Sequence, residues 1–92
     1  MQFEWDESKN LSNIQKHGID FADVPMMFER EILSKLDDRF DYGEERWIGI
    51  GFIRWGVAVV VWTERFQNTI RIISARKTNR YERRQFEAYI SN

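Results

Sequence analysis

The chain has 92 residues, 42% hydrophobic and 15% aromatic, which is short enough for one domain and apolar enough to build a core. With no Cys and a single His, it excludes disulfides, thiolate metal sites, thiol nucleophiles, a His-rich metal cage and a paired-histidine nuclease. The formal charge of -1 hides an asymmetry: residues 1–45 carry 12 acidic and 5 basic side chains, and residues 46–92 carry 3 and 9. No 18-residue apolar run occurs, and Met1-Gln2-Phe3-Glu4-Trp5-Asp6 does not read as a signal peptide. A soluble cytoplasmic protein with no membrane partner is expected.

Phe3-Glu4-Trp5 alternates apolar and polar and predicts a short first strand. Asp6 is a good N-cap, Glu7 suits a first helical turn, and Gly18 can adopt the left-handed conformation that ends a helix. The spacing predicts a helix over 7–16 with a thin apolar stripe, Leu11 and Ile14. Asp20 or Asp23 caps a second predicted helix that turns Phe21, Val24, Met27 and Phe28 inward. Pro25 is tolerated in a first turn starting at Asp23 and distorts a helix starting at Asp20. A strand is predicted over 32–36, then a polar loop over 37–45 containing Asp41-Tyr42-Gly43. Strands over 47–53 and 57–63, joined by Arg54-Trp55-Gly56, form a hairpin whose second strand is apolar enough to be covered on both faces. A β-branched strand follows over 69–75. Asn79 and Glu82 make an N-terminal capping pair for a last helix over 80–91 that buries Phe86, Tyr89 and Ile90. The order β-α-α-β-β-β-α predicts an α+β fold, with an antiparallel sheet and helices packed against it, as one domain over 1–92.

Positive charge concentrates between residues 65 and 84, where Arg65, Arg71, Arg76, Lys77, Arg80, Arg83 and Arg84 face only Glu82. Ten of the 14 basic residues are Arg, whose planar fork matches phosphate, so the cluster points to a polyanion. The alternative is pairing with the acidic first half. On the last predicted strand, alternation sets Arg71 with Ile73 on one face and Ile70, Ile72 and Ser74 on the other. Arg76 follows Ser74 in parity at the strand exit. An Arg there suits a scissile phosphate, and its structural alternative is an ion pair with Glu82. Arg65 has the same two readings, with Glu64 or the acidic half as partner. Glu64 is a candidate general base or a solvated turn residue. Lys9, Asn13 and His17 fall in one helical row that suits a phosphate or, alternatively, simply faces solvent. Trp55 and Tyr81 are the aromatics best placed to stack on unpaired bases.

Phe3-Glu4-Trp5-Asp6, then Lys9-Asn10, Asn13 and Lys16-His17-Gly18-Ile19 with Phe21, resembles the N-terminal signature of BrnT-family toxins. Tyr42-Gly43-Glu44-Glu45-Arg46, Thr63-Glu64-Arg65 and Arg71-Ile72-Ile73-Ser74-Ala75-Arg76-Lys77 with Glu82 complete the pattern in order. The resemblance spans nearly the whole chain. It departs at Pro25 and Trp55, neither of them a motif position.

The resemblance implies a toxin of a type II toxin–antitoxin system with a RelE-like fold, in the RelE/ParE-like superfamily. Such a toxin is a cytoplasmic ribonuclease that cuts RNA and arrests translation. Its partner is a cognate ribbon-helix-helix antitoxin, through which alone it meets DNA; the ribosome stays open as a further partner. An exposed apolar patch is expected where the antitoxin docks. The expected reaction is attack of the substrate 2′-hydroxyl on the adjacent phosphate, with no metal and no cofactor. Lys9, His17, Glu64, Arg65 and Arg76 are then the catalytic candidates, the two arginines neutralising developing charge. Asn13, Arg71, Lys77, Arg80 and Tyr81 are the RNA-binding candidates. Two other classes compete: a toxin of the same fold that poisons DNA gyrase, and a non-catalytic module whose arginines only bind RNA or antitoxin.

Overall fold

In the computed structural model, which describes residues 1–66 and 68–92, strand β1 (Gln2–Glu4) leads directly into helix α1 (Glu7–His17). The Asp6 side chain accepts the Lys9 N–H, and Gly18, at φ 70°, closes the helix by donating its N–H to Ile14 O. These ends match the sequence reading. The buried face does not. Leu11 is 65% exposed and Ile14 lies at the surface, while Asn10 and Asn13 are buried.

The reason lies in β5 (Thr69–Lys77), the strand against which α1 packs. Strand β1 pairs with β5 only from Thr69 to Arg71, so beyond that point the outer edge of β5 has backbone groups to satisfy. Asn13 supplies the partner. Its Nδ2 donates to Ala75 O (2.8 Å) and Ile19 O (2.9 Å), and its Oδ1 accepts the Ala75 N–H (3.1 Å). Asn10 accepts the Phe21 N–H and donates to Asp20, fixing the next segment.

That segment is two short 3-10 helices, Phe21–Asp23 and Pro25–Glu29, rather than one α-helix. Pro25 has no N–H for the α-helical ladder, and its ring clashes with the carbonyl four residues back. The apolar residues still turn inward: Phe21, Val24 and Met27 are fully buried.

Strands β2 (Leu33–Leu36), β3 (Trp47–Ile53) and β4 (Gly56–Arg65) complete a sheet of order β1-β5-β4-β3-β2, and helix α2 (Arg80–Ser91) ends the chain. The sheet is mixed. β1 pairs with β5 in parallel, and the other pairs are antiparallel. The expectation of a wholly antiparallel sheet fails because no short hairpin fixes the direction of β1, whose partner lies more than sixty residues away.

Each face has its own core. On one, Ile53, Ala58, Val60, Trp62, Ile70, Ile72 and Ala75 lie under Ile19, Phe21, Val24 and Met27. Packing there is flush against β3: a Cβ on Gly51 would sit 2.5 Å from Met27 Cγ, and one on Gly49 would sit 2.7 Å from the Trp62 ring. On the other face Ile50, Val57 and Val59 lie under Phe86 of α2, with Phe52 and Ile90 beside them. Tyr89, expected in that stripe, is exposed. Neither helix is long and apolar enough to cross a membrane.

One irregularity decides where the arginines go. Val61 pairs with Ser74 but Trp62 pairs with Ile72, so Ile73 is an extra residue in β5, a β-bulge. Past it the alternation flips. Ala75 joins Ile72 on the first face, and Ser74 and Arg76 turn to the face of Arg71. Simple parity had set Arg71 and Arg76 on opposite faces.

Candidate active site

Helix α2 covers only part of its face. Alternation along the strands leaves Lys35, Ile48, Val61, Thr63, Arg65, Arg71, Ser74 and Arg76 on the remainder. A groove of about 260 Å³ runs between this floor and the helix, lined in part by Leu33, Lys35, Ile48, Val59, Glu82 and Gln85. On the far side, the loop after β2 folds back and ties to the sheet through the Thr63 hydroxyl, which donates to Glu45 O at 2.6 Å.

At the helix side, Arg76 donates from both terminal nitrogens to Glu82, Nη1 to Oε1 at 2.8 Å and Nη2 to Oε2 at 2.7 Å. Glu82 is also the acidic half of the predicted capping box: Oε1 accepts the Asn79 N–H, and Asn79 Oδ1 accepts the Glu82 N–H. One carboxylate therefore joins the end of β5 to the start of α2. The Arg76 hydrogen bonds hold the Glu82 carboxyl below its ordinary range, against the opposing effect of burial, and the same bonds make Arg76 more basic. At the far side, Arg71 reaches Glu4 Oε2 at 2.6 Å, and Arg65 approaches the same oxygen at 3.8 Å.

The loop contributes residues that the sequence reading passed over. Asp37 is the only charged residue among the buried ones described. Its oxygens accept Arg39 Nε (2.7 Å), Arg39 Nη2 (2.9 Å) and the Tyr42 hydroxyl (3.1 Å). These bonds, the Arg39 side chain first, lower the Asp37 carboxyl to about 2. The Arg46 guanidinium lies 4.1 Å over the Tyr42 ring. Lys35 and Glu4 were also missed. The signal for Asp37 was available: Leu33, Lys35 and Asp37 continue one alternating row out of β2.

The sequence-predicted residues fall into five places. Arg65, Arg71 and Arg76 share the open face. Lys77, Arg80 and Tyr81 lie where β5 meets α2, and the Lys77 ammonium sits 5.7 Å over the exposed Trp55 ring at the hairpin tip. Lys9 and His17 are exposed on α1 and, among the described residues, their side chains make no hydrogen bond or ion pair. Glu64 is exposed, and alternation along β4 turns it to the face opposite Arg65. Asn13 leaves the polar row altogether: it is 6% exposed, and its carboxamide is spent on backbone groups, so it has no free group for a phosphate. Among the described residues, no three His, Asp or Glu side chains are grouped to hold a metal ion.

Comparison with known proteins places this arrangement. A family model described as the ribonuclease toxin, BrnT, of type II toxin–antitoxin systems matches residues 5–82. The chain belongs to the BrnT family. The crystal structure of the Brucella abortus ribonuclease toxin, BrnT, is similar to it, with a TM-score of 0.65 and 26% sequence identity over 87% of this chain and 99% of that one. No curated protein sequence matches. Membership of a type II family implies a cognate antitoxin for this BrnT toxin, and the family likeness drawn from the sequence motifs holds.

Proposed function

We propose that this BrnT-family toxin cuts RNA on the open face of its sheet, between α2 and the loop after β2. The observation that carries the reading is the bulge at Ile73, which brings Arg76 onto the face of Arg71 and Arg65. Three guanidinium groups on one open surface suit a phosphodiester whose negative charge grows as the bond breaks.

In the proposed reaction the substrate 2′-oxygen loses its proton and attacks the adjacent phosphorus. The bond to the 5′-oxygen breaks, that oxygen takes up a proton, and a 2′,3′-cyclic phosphate and a 5′-hydroxyl result. Arg76 neutralises the charge on the phosphoryl oxygens, with Arg71 and Arg65 holding the flanking strand. No metal enters the proposed steps. Proton transfer is assigned to His17 and Lys9 on α1, whose side chains are not tied up elsewhere; Glu64, expected as a candidate base, is turned to the opposite face of β4 and is not assigned to it. Lys77, Arg80 and Tyr81, with Trp55, extend the RNA contact past the end of β5.

The same reading places the fold in the RelE/ParE-like superfamily and the protein in the cytoplasm, with a ribbon-helix-helix antitoxin as partner. Exposed Phe40, in the loop after β2, supplies apolar surface for that antitoxin to cover.

The test uses the purified toxin with 5′-labelled RNA in EDTA, beside Arg76→Ala and Arg71→Ala variants. The expected products carry cyclic phosphate ends, and Arg76→Ala slows their formation by about 10²–10³. RNA left intact while DNA supercoiling fails would identify a gyrase poison instead. RNA bound in a salt-dependent manner without new ends would identify a binding module.

A further inference from the structure

Asp37 is a buried carboxylate that the proposed reaction does not use. Its N–H donates to Arg46 O at 2.7 Å, so the ladder between β2 and β3 runs one residue past the strand, and its side chain shares the open face with Leu33 and Lys35. Burying a carboxylate is costly unless it is paired. Its pairing is lopsided. The Asp37 side chain is 2% exposed, whereas that of Arg39 is 61% exposed.

Arg39 spends only one edge of its guanidinium on this contact, donating Nε and Nη2 to the two carboxylate oxygens. The Tyr42 phenol lies beside the same edge, and the N–H groups on the other edge are available to a ligand. A guanidinium held along one edge by a fixed carboxylate is pre-aimed and loses little freedom when an anion binds the other edge. Tyr42 locks the second Asp37 oxygen, and the Arg46 guanidinium stacked on the Tyr42 ring holds that phenol in place. The Arg39 charge acts on Arg76 against the stronger Glu82 hydrogen bonds, which keep Arg76 more basic than usual. Arg39 and Arg76 each hold a carboxylate on one side, and Lys35 on the same face has no ion-pair partner among the described residues, so the cluster keeps a net positive charge that an anion would complete.

We propose that Arg39, aimed by the buried Asp37, is a phosphate-binding arm of the RNA site, and that Asp37 is its positioning residue. The assignment rests on the RNA-cutting reading of this face and adds to it the residues that grip a second backbone phosphate.

The test measures binding of a 2′-O-methyl oligoribonucleotide, which cannot be cut, by fluorescence anisotropy across a series of salt concentrations. For single strands the slope of log K against log salt falls by about 0.7 for each phosphate that the protein no longer neutralises. Arg39→Gln should flatten the slope by about 0.7 and weaken binding several-fold at low salt. Arg39→Lys should keep the slope, because the charge remains, yet bind more weakly, because the fork is gone. Asp37→Asn should weaken binding with Arg39 still present. Circular dichroism on each variant establishes that it is folded. An Arg39→Gln protein that melts lower but keeps the wild-type slope and affinity, while Arg76→Gln loses both, would show that Arg39 only neutralises Asp37. That result would overturn this inference and leave the RNA face standing. Unchanged slopes in both variants would overturn the two together.

Discussion

Replacing Asn13 with Ala removes three hydrogen bonds at once: those to Ile19 O, to Ala75 O and from Ala75 N–H. None of the freed backbone groups gains a partner, because α1 still covers them. A buried polar group left unsatisfied costs about 1–3 kcal/mol, so the substitution should cost about 3–5 kcal/mol in all. A chain of this length has a total stability of roughly 5–14 kcal/mol. The variant should therefore lose about a fifth or more of it. Urea unfolding followed by Trp fluorescence reads this directly. At a slope of about 1–1.5 kcal/mol/M, the midpoint should fall by about 2–5 M. Asn13→Asp should be no milder, because a carboxylate oxygen then faces two carbonyls where an amide donated. Leu11→Ala, on the exposed side of the same helix, should stay within about 0.5 kcal/mol of wild type. A drop below about 1 kcal/mol for Asn13→Ala, together with weakened RNA binding by the folded protein, would refute the argument and return Asn13 to the RNA-binding candidates.

Gly51→Ala should cost about 1–3 kcal/mol by thermal melting, because its Cβ meets Met27 at 2.5 Å; Gly49→Ala should cost more, since the Trp62 ring yields less than a methionine chain. The Asp37 carboxyl is depressed from its ordinary 3.8 to about 2, so its contribution to stability is present above about pH 4 and is lost as pH falls through about 2. Asp37→Asn should accordingly flatten the acid limb of melting temperature against pH, and an unchanged limb would count against the buried pair. Trp55→Ala should leave the unfolding free energy within about 0.5 kcal/mol, because the ring is half exposed, while lowering oligoribonucleotide affinity by about 1–3 kcal/mol of stacking; equal affinity would remove the hairpin tip from the RNA surface.

The features legible in the sequence were those set by neighbours along the chain. Asp6 and Gly18 mark α1, and Asn79 with Glu82 marks α2, because a cap is built within four residues. The Arg76–Glu82 pair followed from the same local geometry. The features that were not legible depend on pairing between distant segments. The bulge at Ile73 exists only in the register of β5 against β4, and it reverses the side on which Arg76 emerges. The burial of Asn13 answers an edge of β5 that β1 is too short to cover, so Leu11 and Ile14 offered an apolar stripe the fold does not use. The parallel pairing of β1 joins Glu4 to Arg71 across 67 residues, and no spacing rule reaches that far. The arginine cluster was visible as composition, but its division between the open face and the far end of β5 was not.

Every arginine on the open face has a carboxylate partner, yet the partners are not equivalent. Glu82 receives three hydrogen bonds, is mostly buried and anchors α2. Glu4 sits on an edge strand, 37% exposed, and shares one oxygen between Arg71 and Arg65. Exposed pairs of this kind contribute roughly 0–1 kcal/mol, because water and salt compete with them. In the proposed reaction Glu4 positions two guanidinium groups at small cost and would yield them to a phosphate, which offers more oxygens and more charge. Glu4→Gln should leave the fold intact while removing one negative charge from the rim of the trough. At about 7 Å and an effective dielectric between 40 and 80, a unit charge is worth about 0.6–1.2 kcal/mol, so the oligoribonucleotide should bind about 3- to 8-fold more tightly at low salt. The gain should fade as salt approaches 1 M, where the screening length is about 3 Å. Glu82→Gln should do the reverse, weakening RNA binding and lowering the melting temperature together, because Arg76 loses the group that aims it. If Glu4→Gln weakens binding as Glu82→Gln does, Glu4 is an anchor and not a placeholder, and the far side of the trough is held as rigidly as the helix side.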